Sequence, residues 1–190
     1  ISDEPLALLI KITAIYGLRR SEVAGLQWNS IDFEKNLISI RHTVVKVDKI
    51  VEKDRTKTAS SYRSFPLVPE IREALLEQRE QQLINRTLFK KDYYDSPYIF
   101  VWDDGRPISP DYMSHAFKKL LKKYNMPKMR FHDLRHSCAS ILLSKGFTLK
   151  DVQEWLGHAD IKTTANVYGH LDMSRKNAIA EGMVSAISKC

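Results

Sequence analysis

Four short sequence strings carry side chains that together suit chemistry on a phosphodiester. Two guanidinium groups, an ammonium, two imidazoles and a phenol come from Arg19, Arg135, Lys57, His132, His158 and Tyr168. Guanidinium forks match pairs of phosphate oxygens, and a tyrosine hydroxyl can attack phosphorus as a nucleophile. The sequence shows no accompanying cluster of carboxylates for a metal ion, so we predict neither a metal site nor a cofactor.

The string His132-Asp133-Leu134-Arg135 lies in the most basic part of the chain. Residues three apart on a helix project from one face, so His132 and Arg135 can act on the same group. The Arg stays protonated at any working pH, and the His exchanges a proton near neutrality. A lone His-x-x-Arg pair more often caps a helix or lies at the edge of a core, and that alternative stays open for this string alone.

Two adjacent arginines, Arg19 and Arg20, follow Gly17, which permits a tight turn. Successive helical residues point about 100° apart, so only one of the two can face a given site. Glu22 can orient the Arg19 guanidinium or buffer a nearby imidazole. The alternative is an ion pair at the surface of a helix end, which contributes at most about 1 kcal/mol.

The remaining candidates each have an ordinary structural alternative. Lys57 lies on a polar turn, where a flexible ammonium can protonate a leaving oxygen or simply be exposed. His158 follows Gly157 between two predicted helices, a place where His is often structural. Tyr168 shares a helix face with apolar residues, which is typical of a core Tyr; as a nucleophile it needs a proton acceptor, because its unperturbed pKa is about 10.

The positive charge is concentrated in residues 115–150. This segment holds nine Lys and Arg against the single acid Asp133, whereas the whole chain has a formal net charge of +7. Such a local excess suits a polyanion such as nucleic acid, and a solvated basic face is the alternative. The residues that we expect to contact DNA are Lys118, Lys119, Lys122, Lys123, Lys128 and Arg130.

The bulk composition indicates a single globular domain in a reducing compartment. The 190 residues can bury one core, and two cysteines are too few for a disulfide framework. No apolar run approaches the length of a membrane span and no signal peptide is visible, so we predict a cytoplasmic protein. The chain begins with Ile rather than Met, and we expect it to be a fragment.

Hydrophobic periodicity predicts a mainly helical α+β domain. We predict helices from a Ser2-Asp3 cap to Ile15, over 21–27, from Pro69-Glu70 to about Asn85, over 110–124, over 132–144, over 148–156, and from Asp160 past Tyr168. Alternation over 37–47, at 50–51 and around 63–65 predicts a small three-stranded antiparallel sheet. Its turns would be Asp48-Lys49 and the exposed, polar segment 56–61, and Tyr98–Val101 is a further short strand or extended connection.

The ordered set Gly-Leu-Arg-x-x-Glu, Thr-Lys-Thr, His-x-Leu-Arg-His, Leu-Gly-His and a Tyr ten residues on resembles the catalytic domain of the tyrosine recombinases, the phage integrase family. The resemblance covers nearly the whole chain. It implies that family's fold, with a small sheet beside a helical catalytic core. It also implies one catalytic domain over 1–190 with a C-terminal tail at 172–190, and that the family's N-terminal DNA-binding domains are absent from this chain.

The resemblance assigns a role to each candidate. Arg19, rather than Arg20, and Arg135 would clamp the scissile phosphate, and Glu22 would support the site. Lys57 would protonate the leaving 5′ oxygen, His132 would assist proton transfer, and His158 would hydrogen-bond the phosphate. Tyr168 would form a 3′-phosphotyrosine. His136 also matches a common family residue, and we assign it to packing.

The implied function is metal-independent, site-specific recombination of double-stranded DNA by a homotetramer, as the integrase of a phage or conjugative element. The alternatives are type IB topoisomerase-like relaxation, a non-catalytic DNA-binding module, and a structural protein with a basic surface. The tail carries an apolar stripe of Ile179, Met183 and Ile187. In the family this segment often docks on a neighbouring protomer, and packing on the chain's own core is the equal alternative.

Overall fold

The computed structural model describes residues 4–47, 49–53 and 62–157, together with 180, 181 and 184. Three predicted site residues, Lys57, His158 and Tyr168, lie outside the described residues. The same holds for the Ser2-Asp3 cap, the helix predicted from Asp160, and the three apolar tail positions.

The helices follow the predicted order, with shifted ends. Between residues 4 and 157 they are α1 (Ala7–Tyr16), α2 (Arg20–Ala24), α3 (Pro69–Phe89), α4 (Pro110–Lys123), α5 (Asp133–Ser144) and α6 (Leu149–Leu156). Two of the boundary signals are as predicted for α6. The Thr148 hydroxyl accepts the Asp151 backbone N–H at 3.1 Å, and Gly157 ends the helix at a φ of 67°.

Helix α2 differs from its prediction at both ends. It was expected from Ser21 to Gln27, but it begins at Arg20 and ends at Ala24. It begins early because the Glu22 carboxylate accepts the Arg19 backbone N–H at 2.7 Å, which makes Arg19 the N-cap. It ends early because the chain must turn at Gly25, where an added Cβ would lie 2.6 Å from the His42 carbonyl oxygen.

The strands form two antiparallel units. Strands β1 (Ile31–Asp32), β2 (Leu37–Ile40) and β5 (Arg63–Pro66) make a three-stranded sheet in the order β1-β2-β5, while β3 (Thr43–Val47) and β4 (Lys49–Lys53) pair as a hairpin. A three-stranded sheet was predicted, but with other members. The segment 37–47 divides into two strands at 41–42, and β5 pairs with β2 across Ile38 and Phe65. Residues 98–101 make only single bridges at Tyr98 and Val101.

The core joins α1 to the sheet and to the last helices. Leu9, Ile12 and Tyr16 of α1 are fully buried, as expected for a helix that is apolar nearly all round. The Tyr16 ring lies 5.1 Å from the Phe65 ring of β5, which lies 4.7 Å from the Trp155 ring of α6. This aromatic contact fixes the sheet and α6 against the end of α1, where the candidate site begins. Within the described residues, no helix has the length and apolarity needed to cross a membrane.

Candidate active site

The junction between α1 and α2 is built around Gly17. Its φ of 60° is left-handed, and a Cβ there would lie 2.2 Å from Cδ2 of Leu156 and 3.2 Å from Sγ of Cys138. Only glycine fits both the backbone conformation and this close approach of α6. The tight junction therefore places Arg19 directly beside the end of α6.

Arg19 and Arg20 point to different parts of the molecule. The Arg19 guanidinium donates to Glu22 Oε1 at 2.6 Å and to the Gly157 carbonyl at 3.1 Å. The Arg20 guanidinium donates instead to Asp111 and Ser114 of α4, at 3.3 and 3.0 Å. The geometry thus separates two arginines that the residue pattern left equivalent.

Arg135 is the largest fully buried side chain of the described residues, at 2% exposed. Its Nη1 donates to the Gly17 carbonyl at 2.6 Å and its Nη2 to the Leu156 carbonyl at 2.7 Å. These carbonyls end α1 and α6, where helix carbonyls have no partner within the helix and the helix dipole is negative. Arg135 therefore ties two helix ends together with a buried positive charge.

Arg63 of β5 joins the same cluster, and sequence reasoning did not assign it to the site. Its Nη1 and Nη2 donate to Glu22 Oε1 and Oε2 at 3.2 and 2.9 Å, and its Nε donates to the Trp155 carbonyl at 3.1 Å. The signal in the sequence was an Arg two residues before Phe65 in a strand. The alternation of a strand puts both on the inward face, and a buried Arg requires an acidic partner.

Three arginines therefore bind three consecutive carbonyls at the end of α6. Arg63 binds the carbonyl of Trp155, Arg135 that of Leu156, and Arg19 that of Gly157. The arginines come from β5, from α5 and from the cap of α2. The next residue in the chain after these carbonyls is the predicted site residue His158.

One carboxylate lies among these three cations. Glu22 is 1% exposed, and besides its contacts with Arg19 and Arg63 it has Arg135 Nη1 at 4.0 Å from Oε2. Burial alone would raise the pKa of Glu22, but the hydrogen bonds and charge of Arg63, together with Arg19, outweigh it and lower the pKa to about 2. Burial and the charge of Arg19 lower the pKa of Arg135. Three guanidinium groups and one ionised carboxylate leave an excess of positive charge that suits an anion.

His132 occupies the N-cap position of α5, one turn before Arg135, and its side chain makes no capping hydrogen bond. Its ring lies 4.9 Å from that of His136, edge to face. Burial, followed by His136 and the charge of Arg135, lowers the pKa of His132 and so favours the neutral imidazole at neutral pH. A neutral ring can accept a proton. No group of three or more His, Cys, Asp and Glu side chains placed to hold a metal ion occurs in the described part of the chain.

The expected DNA-binding residues separate onto two sides of α4. Lys118, Lys122, Lys128 and Arg130 line an open groove of about 860 Å³ between α4 and the segment before α5. The groove reaches Asp133, which holds Arg130 at 3.0 Å and follows His132 in the chain.

Lys119 and Lys123 line a different, smaller depression beside Glu4. The Lys123 ammonium forms an ion pair with Glu4, so one of the two lysine charges beside this depression already has a partner within the chain. The structure thus brings four of the six basic residues together and places the other two elsewhere.

Comparison with known proteins identifies the family. The sequence profile described as "Phage integrase family" matches residues 2–175. A tyrosine recombinase XerC-like protein of Caldanaerobacter subterraneus subsp. tengcongensis is 33% identical over 178 residues, which cover 87% of this chain and 45% of that protein. The transposase of transposon Tn916 from Enterococcus faecalis is 34% identical over 164 residues, covering 81% of this chain and 39% of that protein.

A solved structure shows the same fold. The Tn1549 transposon integrase, in complex with transposon right end DNA, matches with a TM-score of 0.79 at 26% identity, over 97% of this chain and 62% of that one. The fold is therefore that of a tyrosine recombinase catalytic domain, as predicted. This chain belongs to the phage integrase family, and it spans about half the length of the curated relatives it matches.

Proposed function

We propose that this chain cleaves and rejoins double-stranded DNA at specific sites, as the catalytic domain of an integrase from a phage or conjugative element. The observation that carries the proposal is the cluster of Arg19, Arg63 and Arg135 around a single ionised carboxylate, Glu22. The excess positive charge of the cluster lies on guanidinium groups that hydrogen bonds fix in place, in surroundings of low dielectric constant. Such an arrangement stabilises the negative charge that builds on a phosphate during attack.

The reaction assigns one step to each residue. The Tyr168 hydroxyl oxygen attacks phosphorus and passes its proton to the neutral ring of His132, the bond from phosphorus to the 5′ oxygen breaks, and a 3′-phosphotyrosine forms. Lys57 gives a proton to the leaving 5′ oxygen, and His132, kept neutral by burial, assists the proton transfer. A 5′ hydroxyl from another strand then attacks the phosphotyrosine, releases Tyr168 and rejoins the DNA without ATP.

Arg19, with its side chain 35% exposed, offers the accessible contact to the phosphate, while Arg135 contributes a fixed charge behind it. In our proposal His158 hydrogen-bonds a phosphate oxygen, next to the three carbonyls that the arginines bind. The positions of Lys57, His158 and Tyr168 in this scheme come from the family resemblance.

The groove lined by Lys118, Lys122, Lys128 and Arg130 is the proposed path of the DNA backbone. It extends to Asp133, the neighbour of His132 in the chain, and we propose that a strand that follows it continues to the arginine cluster. Solved relatives support a DNA partner: the Tn1549 integrase was solved with transposon right end DNA, and the XerH recombinase with difH substrate. We propose that the active assembly is a homotetramer on DNA, in the cytoplasm.

The family assignment does not favour the alternatives of a type IB topoisomerase or a non-catalytic DNA-binding module. The described cluster also argues against a non-catalytic module, because binding alone does not require charged groups buried beneath the DNA-facing surface. Buried charges are costly and are retained where their position matters.

The test is to trap the covalent intermediate on a pool of nicked duplexes with a randomised central sequence. A nick lets the cleaved strand diffuse away, so the adduct accumulates and its DNA can be sequenced. We expect the chain to form an adduct that survives denaturation and persists in EDTA, since the guanidinium groups supply the positive charge. Tyr168→Phe should abolish the adduct, and the matched change Tyr94→Phe, at a half-exposed Tyr in a surface segment, should not. An adduct with Tyr168→Phe, or loss of the wild-type adduct in EDTA, would contradict the proposal.

A further inference from the structure

Arg63 is a buried cation that adds to the charge of the cluster but has no step of its own in the proposed reaction. Its side chain is 7% exposed and lies on the inward face of β5, between Glu22 and the end of α6. In the sequence, Arg63 is the first residue of β5 and follows the segment that carries Lys57. Arg63 therefore occupies a position from which it can influence the site without touching the DNA.

The geometry around Glu22 shows two arginines sharing one carboxylate. Arg63 binds both carboxylate oxygens, with Nη1 on Oε1 and Nη2 on Oε2. Arg19 binds the same two oxygens from the other side, through its guanidinium on Oε1 and its backbone N–H on Oε2. A carboxylate held by a two-pronged contact has one orientation, and so does the second arginine that shares it.

Arg63 and Arg19 also both bind the end of α6, through two different backbone carbonyls. Arg63 Nε binds the carbonyl of Trp155, two residues before Gly157, whose carbonyl is the other acceptor of the Arg19 guanidinium. Both acceptors of Arg19, the Glu22 carboxylate and the end of α6, are thus also fixed by Arg63. Loss of Arg63 would remove one hydrogen-bonding partner from the end of α6 and the two-pronged contact from Glu22.

We propose that Arg63 is a positioning residue for DNA strand cleavage: by holding Glu22 and the carbonyl end of α6, it fixes the orientation in which Arg19 meets the scissile phosphate. This inference rests on the proposed function. A displacement of a catalytic group by about 1 Å is enough to cost roughly 100-fold in rate, so the orientation of Arg19 has a measurable consequence.

The charge state of Glu22 provides a readout that a purely structural role would not change. The charged groups facing Glu22 are Arg19 on its own helix cap, Arg63 on β5 and Arg135 on α5. Burial opposes ionisation of Glu22, and the contacts with Arg63 are the largest influence that favours it. Without Arg63 the carboxyl should therefore take up a proton at a higher pH, and a protonated carboxyl holds Arg19 less well.

The experiment measures the rate of adduct formation at saturating DNA from pH 5 to pH 8, with the duplex recovered by trapping. For Arg63→Gln we expect a rate at pH 7 that is 10- to 100-fold below wild type, and a further fall toward pH 5 that exceeds any fall of the wild type. For Arg63→Lys, which keeps the charge but not the two-pronged contact, we expect about a tenfold loss with the pH profile of the wild type. DNA affinity should change less than twofold in both, and Arg72→Gln, at a partly exposed Arg on α3, should match wild type.

Each outcome of this experiment supports or contradicts the role of Arg63 as a positioning residue. If Arg63→Gln shows the wild-type pH profile, or Arg63→Lys the wild-type rate, Arg63 is not a positioning residue. If Arg63→Gln does not fold, the rate of Arg63→Lys alone makes the decision. The pKa of Glu22, followed by carboxyl ¹³C NMR, should rise in the Gln variant, and this holds independently of activity. If the wild type forms no adduct while the pKa of Glu22 shifts as expected, the proposed function fails and the contact stands.

Discussion

Two groups of positive charge in this molecule have opposite environments. In the arginine cluster, Glu22 and Arg135 are 1% and 2% exposed, and each guanidinium binds defined acceptors. In the groove beside α4, Lys122 and Lys128 are exposed, and the Arg130 side chain is 77% exposed. The two groups lie close in the chain, since Arg130 and Arg135 are five residues apart.

The difference separates two uses of charge. Exposed charges are screened by salt and act mainly by attracting the DNA backbone, with little demand on their orientation. Buried charges are unscreened and fixed, so they act strongly on charge that appears at one point. We therefore expect the cluster to control the rate of cleavage and the stability of the fold, and the groove to control affinity and its salt dependence.

The largest expected effect is that of Arg135→Lys. A lysine keeps the charge but lacks the rigid planar fork with which Arg135 binds the Gly17 and Leu156 carbonyls through separate nitrogens. We expect adduct formation at saturating DNA to fall about 100- to 1,000-fold, because the positive charge is no longer fixed behind the phosphate and losses of this size follow when one group that stabilises a developing negative charge is removed. The matched change Arg20→Lys, at an exposed Arg that contacts α4, should stay within a few-fold of wild type. Equal losses in the two variants would mean that burial and fixation do not distinguish the cluster.

A second prediction compares two glycines that share a left-handed backbone. Gly17 has a φ of 60° and is crowded by Leu156 and Cys138, whereas Gly146 has a φ of 90° and nothing within 4 Å of an added Cβ. Alanine at Gly146 should cost about 1–2 kcal/mol of unfolding free energy, for the backbone alone. Alanine at Gly17 should cost a further ~1–3 kcal/mol, because the neighbouring core is closely packed.

Urea unfolding measures both costs, and the adduct assay adds a second comparison. Because the Gly17 carbonyl is an acceptor of Arg135, the Gly17→Ala variant should also lose activity in its folded fraction, and the Gly146→Ala variant should not. Equal stability losses for the two glycines would show that Leu156 yields to the new methyl group.

The sequence predicted most elements and three of the four residues of the cluster, for identifiable reasons. The helices carry strong periodicity and caps, such as Thr148 and Gly157, which are local signals. Arg19 and Arg135 stand in recognisable strings. Arg63 does not, because its partner Glu22 is 41 residues away on α2 and the two side chains meet only in the folded chain. The separation of Arg19 from Arg20 likewise depends on α4, whose Asp111 lies 91 residues beyond Arg20.

The density of positive charge along the sequence also did not show which lysines of α4 line the groove. Lys118, Lys119, Lys122 and Lys123 form one basic run, but a helix distributes neighbours around its axis. Lys118 and Lys122, four apart, share the groove, while Lys119 and Lys123, also four apart, share the depression beside Glu4. A count of charges cannot separate these two pairs of lysines. The fold separates them, because the N-terminal residues Glu4 to Leu6 lie beside Lys119 and Lys123.

The smallest expected effect tests that distinction on α4 itself. Lys122→Gln removes a groove charge, and Lys119→Gln removes a charge from the other depression by the same chemical change. On a fixed duplex, titrated by fluorescence anisotropy between about 50 and 200 mM KCl, loss of one phosphate contact lowers the magnitude of the slope of log K against log salt by about 0.9. We expect that reduction for Lys122→Gln, with a several-fold loss of affinity and an unchanged cleavage rate at saturating DNA. Lys119→Gln should keep the wild-type slope. If Lys119→Gln lowers the slope as much as Lys122→Gln does, the DNA backbone contacts both sides of α4 and the groove is not its sole path in this region.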